Sequence, residues 1–294
     1  MISRSTLVGA LLVAELAIVA VAVAVLAPAG ATGARDAARL QRSFITGFAP
    51  HVVVDARGVD VRIDTHAQPV VEASESVQTS GWVSASVPAL TADTIAGGVR
   101  ISALADTPHA ILGSVRHSVH IVVPELASVD VVSAANVDAE GLRAKLSAHT
   151  PEGNMRVRDH RGDVDVSSSD GKIELTDVQG DDVAANTHDG RLYLTRVGAR
   201  RIDAHTNYGR IYAVDVTAQD GALSTHFGRI SASFTARSDA TLDATTRNDR
   251  VTVAGLAAES VDAHAQTIRL GDGRGRFQVS TDDGAVNISE GASS

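Results

Sequence analysis

The chain has no cysteine. Disulfide bridges, thiolate metal sites and lipid attachment through Cys are therefore excluded. Aromatic residues are scarce as well, at 3% of 294 residues, whereas 44% of the residues are hydrophobic. A core must then be built from Val, Ile, Leu and Ala, which suits repeated thin layers better than a thick globular interior. Lysine is nearly missing: Lys145 and Lys172 are the only two, and Arg carries the remaining positive charge. The formal net charge of −9 argues against general nucleic-acid binding, which needs a basic face. The sequence also has no P-loop, no zinc-peptidase helix motif and no nucleophile elbow. Nothing in it calls for a cofactor.

One long hydrophobic run is present. Leu7 to Ala27 is apolar except for Glu15, enough for about 31 Å of helix, the thickness of a bilayer core. The run predicts a single transmembrane helix, an anchor in membrane lipid, with the rest of the chain outside the cytoplasmic membrane. Ala27-Pro28-Ala29 and Ala29-Gly30-Ala31 resemble signal-peptidase sites, so cleavage stays open, although the run is longer than a usual signal segment. Glu15 is a candidate contact to a partner helix of another membrane protein, because a carboxylate in a span is costly. The plainer reading is that it sits two turns in and is protonated or reaches toward the interface.

Internal periodicity is the strongest pattern in the rest of the chain. SSSDGKIEL, NTHDGRLYL, HTNYGRIYA and STHFGRISA place Gly171, Gly190, Gly209 and Gly228 nineteen residues apart. The frame extends back to Gly153 and forward to Asp249, which takes the Gly position in TTRNDRVTV. It reaches a degenerate copy near His264 to Leu270 and ends around Gly284. Alternation of period two flanks each turn, as strands require. Seven and five residues before the Gly are apolar, as in Ile202 and Ala204, and so are two and four after it, as in Ile211 and Ala213. A small hydroxyl stands three before it: Thr150, Ser168, Thr187, Thr206, Thr225, Thr246, Thr281. This row is expected to point inward, each hydroxyl bonded to its stacked neighbour, and the Gly is expected to take positive φ. The predicted fold is all-β: a parallel β-solenoid of about seven rungs, roughly 34 Å long at one strand spacing per rung. Residues 1–28 form the anchor or signal, 29–48 a linker, 49–135 a β region that starts and caps the stack, and 136–290 the repetitive solenoid.

The segment HSVHIVVPELASVDVVSAANVDAEGL (His117 to Leu142), followed by polar-polar-Gly-x-Ile-x-Leu rungs through Ile288, resembles a family of bacterial β-strand-repeat proteins grouped as candidate adhesins of unknown function. The resemblance covers roughly residues 50 to 290. It implies the architecture and a surface role, and it carries no catalytic residues to transfer.

The candidate binding site is a basic column just after the turn: Lys172, Arg191, Arg210, Arg229 and Arg250. In-register rungs would stack these cations along one edge, beside Tyr193, Tyr208, Tyr212 and Phe227. Such a row suits an anionic envelope glycan or a phosphate-bearing wall polymer; its structural alternative is solvation of the turn column by long side chains. Histidines that share a repeat position fall two or more rungs apart, too far to share one metal ion. The acids scatter over corners rather than converging in pairs, so an enzyme is not expected. The sequence therefore predicts a membrane-anchored, non-enzymatic interaction or scaffold protein of the cell envelope. The alternatives are a polysaccharide-active enzyme on the same rod and a regulatory partner of another membrane protein.

Overall fold

The computed structural model describes residues 20–21, 35–84, 90–104, 109–133 and 135–291. Two parallel sheets face one another across a single apolar core that runs from Val52 to Ile288. The first sheet stacks, in order, Gly98–Leu104, His51–Arg57, Ser128–Ser133, Leu146–Thr150, Val164–Ser168, the second halves of Ile173–Thr187 and Leu192–Thr206, then Asp220–Phe227, Gly275–Asp283 and Ala240–Thr246. The second sheet stacks their partners across the turn, from His109–Pro124 through Asp60–His66 and Val137–Glu140 to Val286–Glu290 and Val251–Ala254. The rod thus has ten rungs, the seven of the repeat and three from residues 51–140 that start the stack, about 43 Å from first to last at one strand spacing each.

The rungs do not stack in chain order. At the C-terminal end, Gly275–Asp283 and Val286–Glu290 insert between the rung of Gly228 and the rung of Asp249. At the other end, His51–His66 lies between the strands Gly98–Pro124 and Ser128–Glu140. The segment read as a degenerate rung, His264 to Leu270, instead contributes Ala265–Leu270, an antiparallel cap on Ala240–Thr246. At the opposite end Val70–Ser84 caps His109–Pro124, and Thr91–Ile95 caps Gly98–Leu104, both antiparallel. These caps cover strand edges that would otherwise pair with other chains.

The inward positions are those the alternation marks. Ile202, Ala204, Thr206, Ile211 and Ala213 are all buried, and Val183, Ala185, Thr187, Leu192 and Leu194 fill the same five places in the rung before; in the rung after, Gly221 stands opposite Ile202. Six residues after the turn, the chain enters the left-handed region at non-glycine residues: Asp159, Asp177, Arg196 and Asp215, with φ of 44°, 57°, 52° and 56°. That corner resets the alternation, so the next residue also points inward, as Val178, Val197 and Val216 do.

The turn glycines are needed for a different reason from positive φ. Gly171, Gly190, Gly209 and Gly228 are absent from the positive-φ residues. Instead, each Cα rests on the glycine of the rung before it. A Cβ would lie 1.9 Å from the carbonyl oxygen of Gly171 at Gly190, 1.7 Å from that of Gly190 at Gly209, and 1.8 Å from that of Gly209 at Gly228. The hydroxyl row completes this contact, and its partners are backbone rather than other hydroxyls. Thr206 Oγ1 donates to the carbonyl of Gly190 at 3.0 Å, just as Thr187 Oγ1 accepts from the N–H of its own Gly190 at 3.1 Å. Thr281 reaches the carbonyl of Gly228 and Thr246 that of Gly284, which confirms the inserted order.

Residues 29–48, read as a linker, include the strand Arg35–Ile45, paired antiparallel with Val70–Ser84; Phe44 packs on the core. Of the predicted span Leu7–Ala27, only Ala20–Val21 is described, as a two-residue strand paired with Leu40 and Gln41. The remainder, Glu15 included, lies outside the described residues. Among the described residues no helix is long and apolar enough to cross a membrane.

The core generates three predictions. Gly209→Ala should prevent folding, or lower stability by more than about 4 kcal/mol. Thr187→Val, which strands the buried N–H of Gly190 and the carbonyl of Gly171, should cost about 1–3 kcal/mol in urea melts. The third concerns His160, which is 1% exposed and stands where later rungs carry Val178 and Val197. Neither ring nitrogen has a hydrogen-bond partner. Burial pushes its pKa down, against the nearby negative charge of Asp163. A histidine held neutral in the fold makes stability fall as pH drops below its unfolded value of about 6.5. His160→Val should therefore stabilise the protein, and its advantage over the parent should widen as pH is lowered through that value.

Candidate functional site

Each turn places three residues besides the glycine between the inward hydroxyl and the first inward apolar residue of the second sheet. Two stand before the glycine and one just after. The N–H of the second-sheet residue following each cation bonds to the main chain of the next rung, which fixes the outer column. Ile173 donates to the carbonyl of Arg191, Leu192 to Arg210, Ile211 to Arg229, Ile230 to Ala285 and Val286 to Arg250, at 3.0–3.1 Å. The column is thus Lys172, Arg191, Arg210, Arg229, Ala285, Arg250. Its order differs from the sequence expectation at one point: the inserted rung places Ala285 between Arg229 and Arg250.

Lys172 also departs from the expectation. Its Nζ donates to Glu174 at 2.6 Å and sits 5.7 Å over the ring of Tyr193. Bonded to Lys172 and to Arg156, Glu174 has its carboxyl held below the usual range. Arg210 Nη1 donates to the hydroxyl oxygen of Tyr212 at 3.5 Å. Among the described residues, Arg191, Arg229 and Arg250 have no ion pair or side-chain hydrogen bond. On a corner column, by contrast, cations on one rung meet carboxylates on the next, as Arg196 meets Asp177 at 2.6 Å and Arg200 meets Asp182 at 3.0 Å. Among the described residues, Arg191, Arg229 and Arg250 have no such partner on the rungs beside them.

The column before the glycine runs Asp170, Asp189, Tyr208, Phe227, Asp283, set by Tyr208 N–H on His188, Phe227 N–H on Asn207, and the pairing of Phe227 with Asp283. Tyr208 and Phe227 stack with centroids 5.3 Å apart and planes within 4°. They remain 58% and 53% exposed, which is unusual for large apolar rings in a chain with few of them. His188 lies 5.4 Å from Tyr208 and extends the row. On the other flank Tyr193 and Tyr212 stack at 5.2 Å, so the sequence-predicted aromatics form two separate ladders on either side of the cations. The pre-glycine ladder and Arg191, Arg210 and Arg229 line one open groove of about 550 Å³, with Asp189, Asp249 and Asp283 at its rim. The contributions of Asp283 and His188 were not apparent in the sequence. Asp283 shares the frame position of Phe227, but only the inserted rung brings the two together.

The observed architecture agrees with a family match. A family model described as Toastrack DUF4097 matches residues 53–267. The chain belongs to this family. No curated protein matches the chain. Among solved structures, the Toastrack chain is similar to a candidate cell adhesion protein from Clostridium sporogenes ATCC 15579, at 9% identity and a TM-score of 0.31, covering 85% of this chain and 98% of that one. It is also similar to a candidate adhesin from Bacteroides fragilis NCTC 9343, at 11% identity and a TM-score of 0.38, covering 86% and 96%. A candidate lipid binding protein from Parabacteroides distasonis ATCC 8503 aligns at 12% identity and a TM-score of 0.36, covering 87% and 95%.

Stacking like charges one rung apart is unfavourable. Arg210→Gln should therefore raise the melting temperature at low salt, and the gain should shrink at high salt, where screening already relieves the repulsion. A melting temperature that falls equally at both salt levels would mean that the guanidinium supports the fold.

Proposed function

We propose that this Toastrack protein is a membrane-anchored, non-enzymatic interaction module of the cell envelope that holds an anionic polymer along its Arg-lined turn edge. The observation that carries the reading is that Arg191, Arg210 and Arg229, held on successive rungs by main-chain hydrogen bonds, have no carboxylate partner among the described residues and line one groove with two exposed, stacked rings. A protein of net charge −9 that keeps such a row unpaired on one edge forgoes stability there, and binding surfaces commonly make that trade. The fork geometry of guanidinium suits carboxylate and phosphate alike.

The apolar run Leu7–Ala27 supplies the anchor in this reading, with the rod outside the cytoplasmic membrane. The partner is then an envelope component rather than nucleic acid, and membrane lipid is engaged by the N-terminal run alone.

Replacing Arg191, Arg210 and Arg229 together with Ala should abolish retention of anionic envelope polymers by the immobilised full-length protein while leaving its melting temperature unchanged or higher. Retention that persists at low salt in this variant would place the site elsewhere. Protease added to intact cells should digest the rod; complete protection of the rod would contradict the proposed location.

A further inference from the structure

Guanidiniums alone do not distinguish carboxylate from phosphate, but the groove contains more than guanidiniums. We infer that its ligand is a linear acidic polysaccharide, a chain of uronic-acid sugars lying along the rod axis, a reading that rests on the anionic-polymer function proposed above. Three features meet along the groove.

The first is spacing. Main-chain hydrogen bonds hold Arg191, Arg210 and Arg229 on successive rungs, about 4.8 Å apart. A pyranose ring advances a sugar chain by a comparable length, so acid groups borne on the rings recur on the scale of the cations. Inorganic polyphosphate crowds its anions more closely than that. The second feature is the wall formed by Tyr208 and Phe227, coplanar within 4° and more than half exposed. An aromatic face is electron-rich and apolar, and it suits the C–H face of a sugar ring. A phosphate chain has nothing to place there.

The third feature is the pair of carboxylates in the same column as the rings, Asp189 on one side and Asp283 on the other. Asp189 accepts a hydrogen bond from His188 at 2.7 Å and keeps free lone pairs. Asp283 has no side-chain partner among the described residues. An ionised carboxylate only accepts hydrogen bonds. It repels a densely charged phosphate chain and welcomes sugar hydroxyls. A ligand that satisfies all three features has an anionic group, an apolar face and hydroxyl donors within each repeat. Single-stranded nucleic acid could stack on the rings and pair with the cations, but its backbone phosphates would meet Asp189 and Asp283.

The test titrates the full-length protein in detergent micelles with polygalacturonate, neutral dextran, inorganic polyphosphate and an oligothymidylate of equal charge. Polygalacturonate should bind at least about tenfold more tightly per charge than polyphosphate or oligothymidylate, and dextran should not bind. Replacing both rings (Tyr208→Ala with Phe227→Ala) should weaken polygalacturonate about tenfold and leave polyphosphate nearly unchanged, the size expected for losing a stacking platform. Replacing the cations (R191Q, R210Q and R229Q together) should weaken both. All these side chains are exposed, and a melting temperature no lower than the parent's confirms that each variant folds. If polyphosphate or oligothymidylate matches polygalacturonate, or the ring variant binds polygalacturonate as before, the sugar assignment is overturned and the anionic edge stands. If no anionic polymer binds, both readings fall.

Discussion

Everything in this rod depends on one contact, the seating of each turn glycine on the carbonyl of the glycine beneath it. At Gly190, Gly209 and Gly228 no side chain fits, because a Cβ would lie 1.7–1.9 Å from the glycine oxygen beneath; Asp249 takes the position on the last rung of the stack. The buried hydroxyl three residues earlier locks the same point by bridging its own turn N–H and the carbonyl of the neighbouring rung. Parallel pairing on either side then has no freedom to slip. A slip of one residue would turn every inward Ile and Leu to solvent. The contact therefore fixes the core and also the columns of exposed residues, since a residue next to the glycine on one rung must stand over its counterpart on the next.

Exposed columns can be stabilised or used. Along the corners, Asp177 with Arg196 and Asp182 with Arg200 alternate charge from rung to rung. On the second sheet, Asp138, Arg156 and Glu174 do the same. At the turn, Arg191, Arg210 and Arg229 repeat one sign beside two exposed, stacked rings. Folding alone gives no reason for that arrangement. A ligand supplying the missing charge does, and the reading of the edge as a binding surface follows from this contrast between paired and unpaired columns.

The repeat made the inward positions legible, because burial at Ile202, Ala204, Thr206, Ile211 and Ala213 is dictated by alternation around a fixed turn. It also placed the cations and rings on one edge. Rung order was not legible. Every rung offers its neighbours the same backbone ladder and the same glycine seat, so the frame around Gly284 fits beside Gly228 as well as beside Asp249. The order is decided by connections: the chain between Ala254 and Gly275 is occupied by an antiparallel cap, Ala258–Val261 with Ala265–Leu270, and returns to insert its last rung. The left-handed corners at Asp159, Asp177, Arg196 and Asp215 were equally hidden, since Asp in a corner reads as an ordinary turn residue. Positive φ, expected of the turn glycines, holds at Gly284 and not at Gly171, Gly190, Gly209 or Gly228, for a related reason: close approach between rungs is a property of the stack, not of the local sequence.

The absence of cysteine allows the stacking to be measured without background. Cysteines introduced in place of Arg229 and Ala285 lie on adjacent rungs in the turn column, within the range that a disulfide spans, whereas cysteines in place of Arg229 and Arg250 lie two rungs apart. Mild oxidation of the folded protein should rapidly link the first pair and leave the second pair reduced. Rapid linking of the second pair with none of the first would mean that the rungs follow chain order, and the column on which the site is built would be wrong.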